Sequence, residues 1–96
     1  MSQYIIRQRA LDDMERIWLY SLQEWGQAQA DQYLRNIIQR IEWLAVNPTL
    51  GKHRTDIDEG YYCFPEAKHH IFYIINGRIE VIGIPHQRMD VISYFD

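Results

Sequence analysis

The chain changes hydrophobic period as it runs. Tyr4-Ile5-Ile6 is a short apolar run that reads as a first strand. From Ala10 the spacing becomes helical: Leu11, Met14, Trp18, Leu22 and Trp25 recur on one stripe, with Ile17 beside them. Asp12, Asp13 and Glu15 fall in the first turns, where negative charge suits the helix dipole. Gly26 predicts a stop. A second stripe follows at once through Ala30, Tyr33, Leu34, Ile37, Ile38, Ile41, Leu44 and Ala45, while Arg35, Gln39, Arg40 and Glu42 fall mostly on the other faces. Asn47-Pro48 ends it. A break of about one residue predicts that the helices fold back on each other as an antiparallel hairpin.

The C-terminal half is patterned differently. Thr49 to Gly60 is polar and reads as a loop. Tyr61 to Phe64 reads as a strand bounded by Pro65. Ile71, Tyr73 and Ile75 alternate, and Ile79, Val81 and Ile84 continue the β-branched run. Asn76-Gly77 between them signals a tight hairpin whose two central positions both need φ > 0. The polar row His86, Gln87, Arg88, Met89 and Asp90 comes straight after a buried strand and calls for an explanation. The predicted class is α+β. An N-terminal strand and an antiparallel helical hairpin pack on a small, mostly antiparallel sheet in the order β-α-α-β-β-β, with room for a short C-terminal helix. Residues 1–96 are expected to form one domain.

Composition narrows the function. Ten Lys plus Arg against thirteen Asp plus Glu leave a net charge of −3. Proteins that hold phosphate backbones usually carry a basic excess, and here the cations are few and dispersed. Direct, sequence-specific nucleic-acid binding by the chain alone is therefore not expected. The single Cys63 forms no internal disulfide and reads as a buried structural thiol. The N-terminus has no apolar signal-like region, and no apolar run approaches the roughly 18 residues of a membrane span. The expectation is a cytoplasmic protein with no membrane partner.

The set Ile17-Trp18-Leu19-Tyr20, Trp25-Gly26, Gln29-Ala30, Tyr33, Asn47-Pro48 with Leu50-Gly51, Gly60, His70-Ile71-Phe72-Tyr73 and His86-Gln87-Arg88-Met89-Asp90 spans essentially the whole chain. In that order and spacing it resembles the ParE branch of the RelE/ParE toxins of type II toxin–antitoxin modules. The resemblance implies the fold just derived. It also implies a growth-inhibiting toxin that poisons DNA gyrase, is silenced by a ParD-like antitoxin in a hetero-oligomer, and serves plasmid or chromosome stability. The family pattern often has Arg at the place of Gly83 and Leu at the place of Pro85. This chain lacks that cation, and Pro85 is expected to stop strand pairing locally.

The candidate chemistry is sparse. No catalytic residue, cofactor or metal is expected under the gyrase reading. The second reading is a ribosome-dependent messenger RNA endonuclease of RelE type. It would use His86 as general base and Arg88 as cation, because that cleavage needs a base for the ribose 2′-OH and positive charge at the phosphorane. A third is a binding module without toxicity, kept for autoregulation. His86 also reads as a strand-end histidine bonded to backbone, and Arg88 and Asp90 as an ion pair or helix cap. His69 and His70 are adjacent on a strand and point to opposite faces, which argues against one shared metal ion. Three Trp and seven Tyr exceed what a small core requires. Some are therefore expected to line a groove between helices and sheet, where an antitoxin segment docks as a helix and an added strand. The contact candidates are Trp18, Trp25, Tyr33, Arg54, Tyr73, His86, Arg88, Met89 and Asp90. A locally basic face is expected, with Arg7, Arg9, Arg54, Arg78 and Arg88 as the candidates, whose convergence in space their spacing does not decide.

Overall fold

The first strand, β1 (Tyr4–Ile6), leads within one residue into helix α1 (Gln8–Trp25); Gly26 then separates α1 from α2 (Gln27–Val46). The computed structural model describes residues 3–96. Gly26 has φ = 90°, its N–H bonds the Leu22 carbonyl and its own carbonyl accepts the Ala30 N–H. A single glycine thus ends one helix and starts the next, which the left-handed region permits at little steric cost. After a 3-10 turn (Pro48–Leu50) come β2 (Lys52–His53), β3 (Tyr62–Glu66), β4 (His69–Asn76), β5 (Arg78–Gly83) and α3 (Val91–Phe95). The sheet order is β1-β5-β4-β3-β2. β1 pairs parallel to β5, with Ile6 opposite Val81, and the other pairs are antiparallel. Among the described residues no helix is long and apolar enough to cross a membrane.

The helical hairpin covers one face of this sheet. Met14, Ile17, Ile37, Ile41 and Leu44 meet Ile71, Tyr73, Ile79, Val81 and Ile84 in one buried cluster. On the other face Cys63, Phe72 and Ile82 are buried beneath Ile57, Val91 and Phe95. The middle of β4 is therefore covered on both sides. Ile71, Phe72 and Tyr73 are all inaccessible, while Ile75, expected to alternate inward, is exposed at the end of the strand.

Several expectations are corrected. The buried face of α1 is Ala10, Asp13, Met14, Ile17 and Ser21, and Leu11 and Trp25 stand exposed. Met14 and Ile17 of the expected stripe are buried, but small Ala10 and Ser21, which allow close approach to the core, complete the contact face in place of Leu11 and Trp25. The helix also begins at Gln8, which puts Asp12 and Asp13 beyond its first turn; Asp13 turns inward instead of serving the dipole. β3 runs through Pro65. β2 pairs only with Tyr62 and Cys63, so Pro65 lies on an open edge where a missing N–H costs nothing. The segment read as a loop contains the 3-10 turn and β2, both too short to show a period. In the β4–β5 turn only Gly77 has positive φ, at 73°, and Asn76 does not; Ile75 pairs with Ile79 across the turn. The β5 ladder ends at Gly83, ahead of Pro85 as expected, but contact with β4 resumes past it: the Pro85 carbonyl accepts the His70 N–H at 2.9 Å, and His69 and His86 form an isolated bridge.

Candidate functional site

A groove of about 510 Å³ opens where the end of the helical hairpin meets the start of β4. α1 contributes Ile17, Tyr20, Ser21 and Trp25, which share one side of the helix by their three- and four-residue spacing. Gln29 and Tyr33 come from α2. Lys68 and His69 come from the β3–β4 turn and the first residue of β4, and Ile84, His86 and Met89 from the segment after β5. The outer wall is aromatic. Tyr20 and Trp25 meet edge to face with centroids 5.9 Å apart, and about half of each residue is exposed. A contiguous apolar surface left open in this way marks a contact site more often than a core defect.

The floor is polar and tightly bonded. Asp13 is 6% exposed. Its carboxylate accepts the Ile84 N–H at 2.9 Å, the Tyr94 hydroxyl, and the Arg16 guanidinium at 3.0 Å. One buried acid thus joins α1, the segment after β5 and α3. Burial, then the Asp13 hydrogen bond, hold the Tyr94 hydroxyl well above its ordinary pKa. The Tyr33 hydroxyl lies 2.7 Å from His69 Nδ1 and accepts the Lys68 N–H at 3.2 Å. Burial, then the neighbouring His86, lower His69 to a pKa of about 4, so its ring is neutral near pH 7. Among the described residues no group of three or more His, Cys, Asp or Glu is placed to hold a metal ion.

The sequence candidates divide. Trp25, Tyr33, His86 and Met89 line the groove. Trp18 lies at the seam between the helices, its indole N–H donating to Asp31 at 2.8 Å. Arg54 lies under the other face of the sheet, paired with Asp56 and 5.6 Å from the Phe72 ring centroid. Tyr73 is fully buried and cannot be a contact in this conformation; its hydroxyl holds the Pro48 carbonyl and the Gly51 N–H. Arg88 donates its backbone N–H to His86 Nδ1. Asp90 caps α3 by accepting from Ile92 N and Ser93 Oγ, and no ion pair joins Arg88 to Asp90. The expected set of five arginines does not form the groove: Arg7 pairs with Glu80, and Arg9 stacks on Tyr94 with its guanidinium carbon 3.9 Å from the ring centroid. The cations at the groove are Arg16 and Lys68. Sequence reasoning missed Asp13, Arg16, Tyr20 and Lys68. Asp13 left a trace as an acid in phase with the buried positions Ala10 and Ile17, and Tyr20 as part of the Ile17-Trp18-Leu19-Tyr20 motif.

The comparisons agree with this architecture. A family model described as ParE toxin of type II toxin-antitoxin system, parDE, matches residues 4–91. The chain belongs to the ParE toxin family. A Toxin ParE1 of Caulobacter vibrioides is 36% identical over 90 residues, and a Toxin ParE1 of Mycobacterium tuberculosis is 37% identical over 92. Each match covers 94% of both chains. A Toxin ParE of Escherichia coli is 31% identical over 98 residues, covering 97% of this chain and 92% of that one. A solved structure described as a chromosomal ParDE TA system from P. aeruginosa superposes with a TM-score of 0.76, covering 90% of this chain and 96% of that one at 16% identity. At that identity the likeness is one of fold. The ParE fold is thus present here with the helical hairpin, the groove and the C-terminal helix described above.

Proposed function

We propose that this ParE toxin arrests growth in the cytoplasm by binding DNA gyrase without itself making or breaking covalent bonds. In this reading a ParD-like antitoxin silences it in a hetero-oligomer by laying an amphipathic segment into the groove between the helical hairpin and the sheet. The observation that supports the antitoxin contact is the half-exposed Tyr20–Trp25 wall above a polar floor anchored by Asp13. Such a surface matches the aromatic anchors that dominate binding energy at protein interfaces. Support for a target outside the chain comes from family membership.

Three measurements test the reading. Induction of the chain alone should stop growth, and co-expression of the protein from the adjacent reading frame should restore it and co-purify. Purified toxin should inhibit supercoiling by gyrase. It should leave transcripts intact in a reconstituted translation system. Transcript cleavage with gyrase turnover unaffected overturns the proposal in favour of an endonuclease.

A further inference from the structure

The two imidazoles in the groove have their protons placed by their neighbours. His86 Nδ1 accepts the Arg88 backbone N–H at 3.1 Å, which leaves the ring proton on Nε2. At His69 the Tyr33 hydroxyl accepts the Lys68 N–H and lies 2.7 Å from Nδ1, the one acceptor within reach of its own proton among the described residues; the arrangement that uses that proton makes Nδ1 the acceptor. His69 then also carries its proton on Nε2. The rings meet edge to face with centroids 5.1 Å apart, and both line the groove. Neither Nε2 has a hydrogen-bond partner among the described residues, nor does any carboxylate pair with Lys68 among them. The one carboxylate in the lining, Asp13, is engaged by three donors. This corner of the groove therefore presents donors without matching acceptors, in a chain whose net charge is −3. Donors covered by a partner without an acceptor are costly, so the occupant must bring one.

We propose that His69 and His86, with Lys68, form a carboxylate subsite that takes an Asp or Glu side chain on an apolar segment of the antitoxin, whose neighbouring aliphatic residues pack on Trp25 and Tyr20. This deepens the antitoxin reading above and rests on it for the identity of the partner. Two observations favour a carboxylate over a phosphate. Among the described residues Lys68 is the one Lys or Arg of the groove lining not engaged by a carboxylate, Arg16 being held by Asp13, so the subsite offers one ammonium with ring hydrogen bonds, which suit a monoanion. The Tyr20–Trp25 wall suits aliphatic neighbours.

Nitrogen-15 spectra of the histidine-labelled full chain test the first half. His69 and His86 should both show the Nε2–H tautomer. Titration with 4-methylpentanoate should shift both Nε2 signals to saturation, about tenfold or more below the concentration needed for the isosteric 4-methylpentanamide. Lys68→Gln should weaken the carboxylate response. An Nδ1–H tautomer at either ring, equal responses to acid and amide, no saturation by the acid, or saturation by uridine monophosphate at lower concentration each overturn the subsite. The last result would point to RNA. The second half uses the co-purified complex. Changing the antitoxin's acidic residues one at a time to amides should weaken the complex at one position with wild-type toxin, and much less with His86→Phe. No position coupled to His86 overturns the proposal while an intact complex leaves the antitoxin reading standing. A carboxylate response without any antitoxin complex has the opposite meaning.

Discussion

Tyr73→Phe removes a single oxygen from the middle of the sheet, and the structure says what that oxygen does. The side chain is fully buried. Its hydroxyl donates to the Pro48 carbonyl at 2.7 Å and accepts the Gly51 N–H at 3.1 Å, which fastens the turn after α2 to β4. Burial above all pushes its pKa up to about 12, so the group remains a neutral donor across ordinary assay conditions. Phenylalanine keeps the ring packing but strands one carbonyl and one N–H. At roughly 1 kcal/mol each for partly buried groups, the expected loss is about 2 kcal/mol. For a domain of this size that lowers Tm by roughly 10 °C. Gly51 supplies an internal control. Its φ of −70° suits any residue, but an added Cβ would overlap the Tyr73 hydroxyl. Gly51→Ala should therefore destabilise the native chain by about 2 kcal/mol and the Tyr73→Phe chain by clearly less, because the clash shrinks with the oxygen gone. Urea unfolding followed by tryptophan fluorescence measures all four corners of the cycle. Equal cost of Gly51→Ala in both backgrounds, or a Tyr73→Phe protein with unchanged stability, refutes the anchoring role.

Three further outcomes follow from the same geometry. Asp13→Ala should cost about 2–4 kcal/mol by denaturant unfolding, because it strands the Ile84 N–H and the Tyr94 hydroxyl at the junction of α1 and α3. Trp25→Ala should leave stability within about 0.5 kcal/mol, since the residue is half exposed, yet weaken the antitoxin complex about tenfold or more in a calorimetric titration. Acid should destabilise the fold through His69. Its folded pKa of about 4 lies below the ordinary histidine value of 6.5, so the unfolded chain binds the proton more readily. Stability from this group is complete above about pH 6.5 and falls as the pH drops towards 4. Allowing for solvent screening of the partly exposed ring, the loss is about 1–2 kcal/mol, and His69→Gln should flatten that part of the Tm-versus-pH curve.

What could be read from the sequence was whatever depends on local chemistry. Helical spacing from Leu11 to Ala45, the lone Gly26, Asn47-Pro48 and the Asn76-Gly77 turn defined the helical hairpin and the β4–β5 pair, because period and turn preference act within a few residues of chain. The matching motifs from Ile17 to Asp90 carried the family. Tertiary structure decided which side of each element faces inward. On α1 the contact face joins Met14 and Ile17 with Ala10 and Ser21, whose small size allows close packing, and with Asp13, whose burial depends on distant hydrogen-bond donors. Tyr73 reads in the sequence as a contact candidate, but cover on its face of the sheet and a hydroxyl partner more than twenty residues away bury it. The groove belongs partly to each level: Trp25, Tyr33, His86 and Met89 were candidates from the sequence, but which residues complete it was decided in space. Arg16, Tyr20, Lys68 and His86 are scattered along the chain and become one surface only when the hairpin closes over β4, because burial is a property of neighbours that the linear order does not contain.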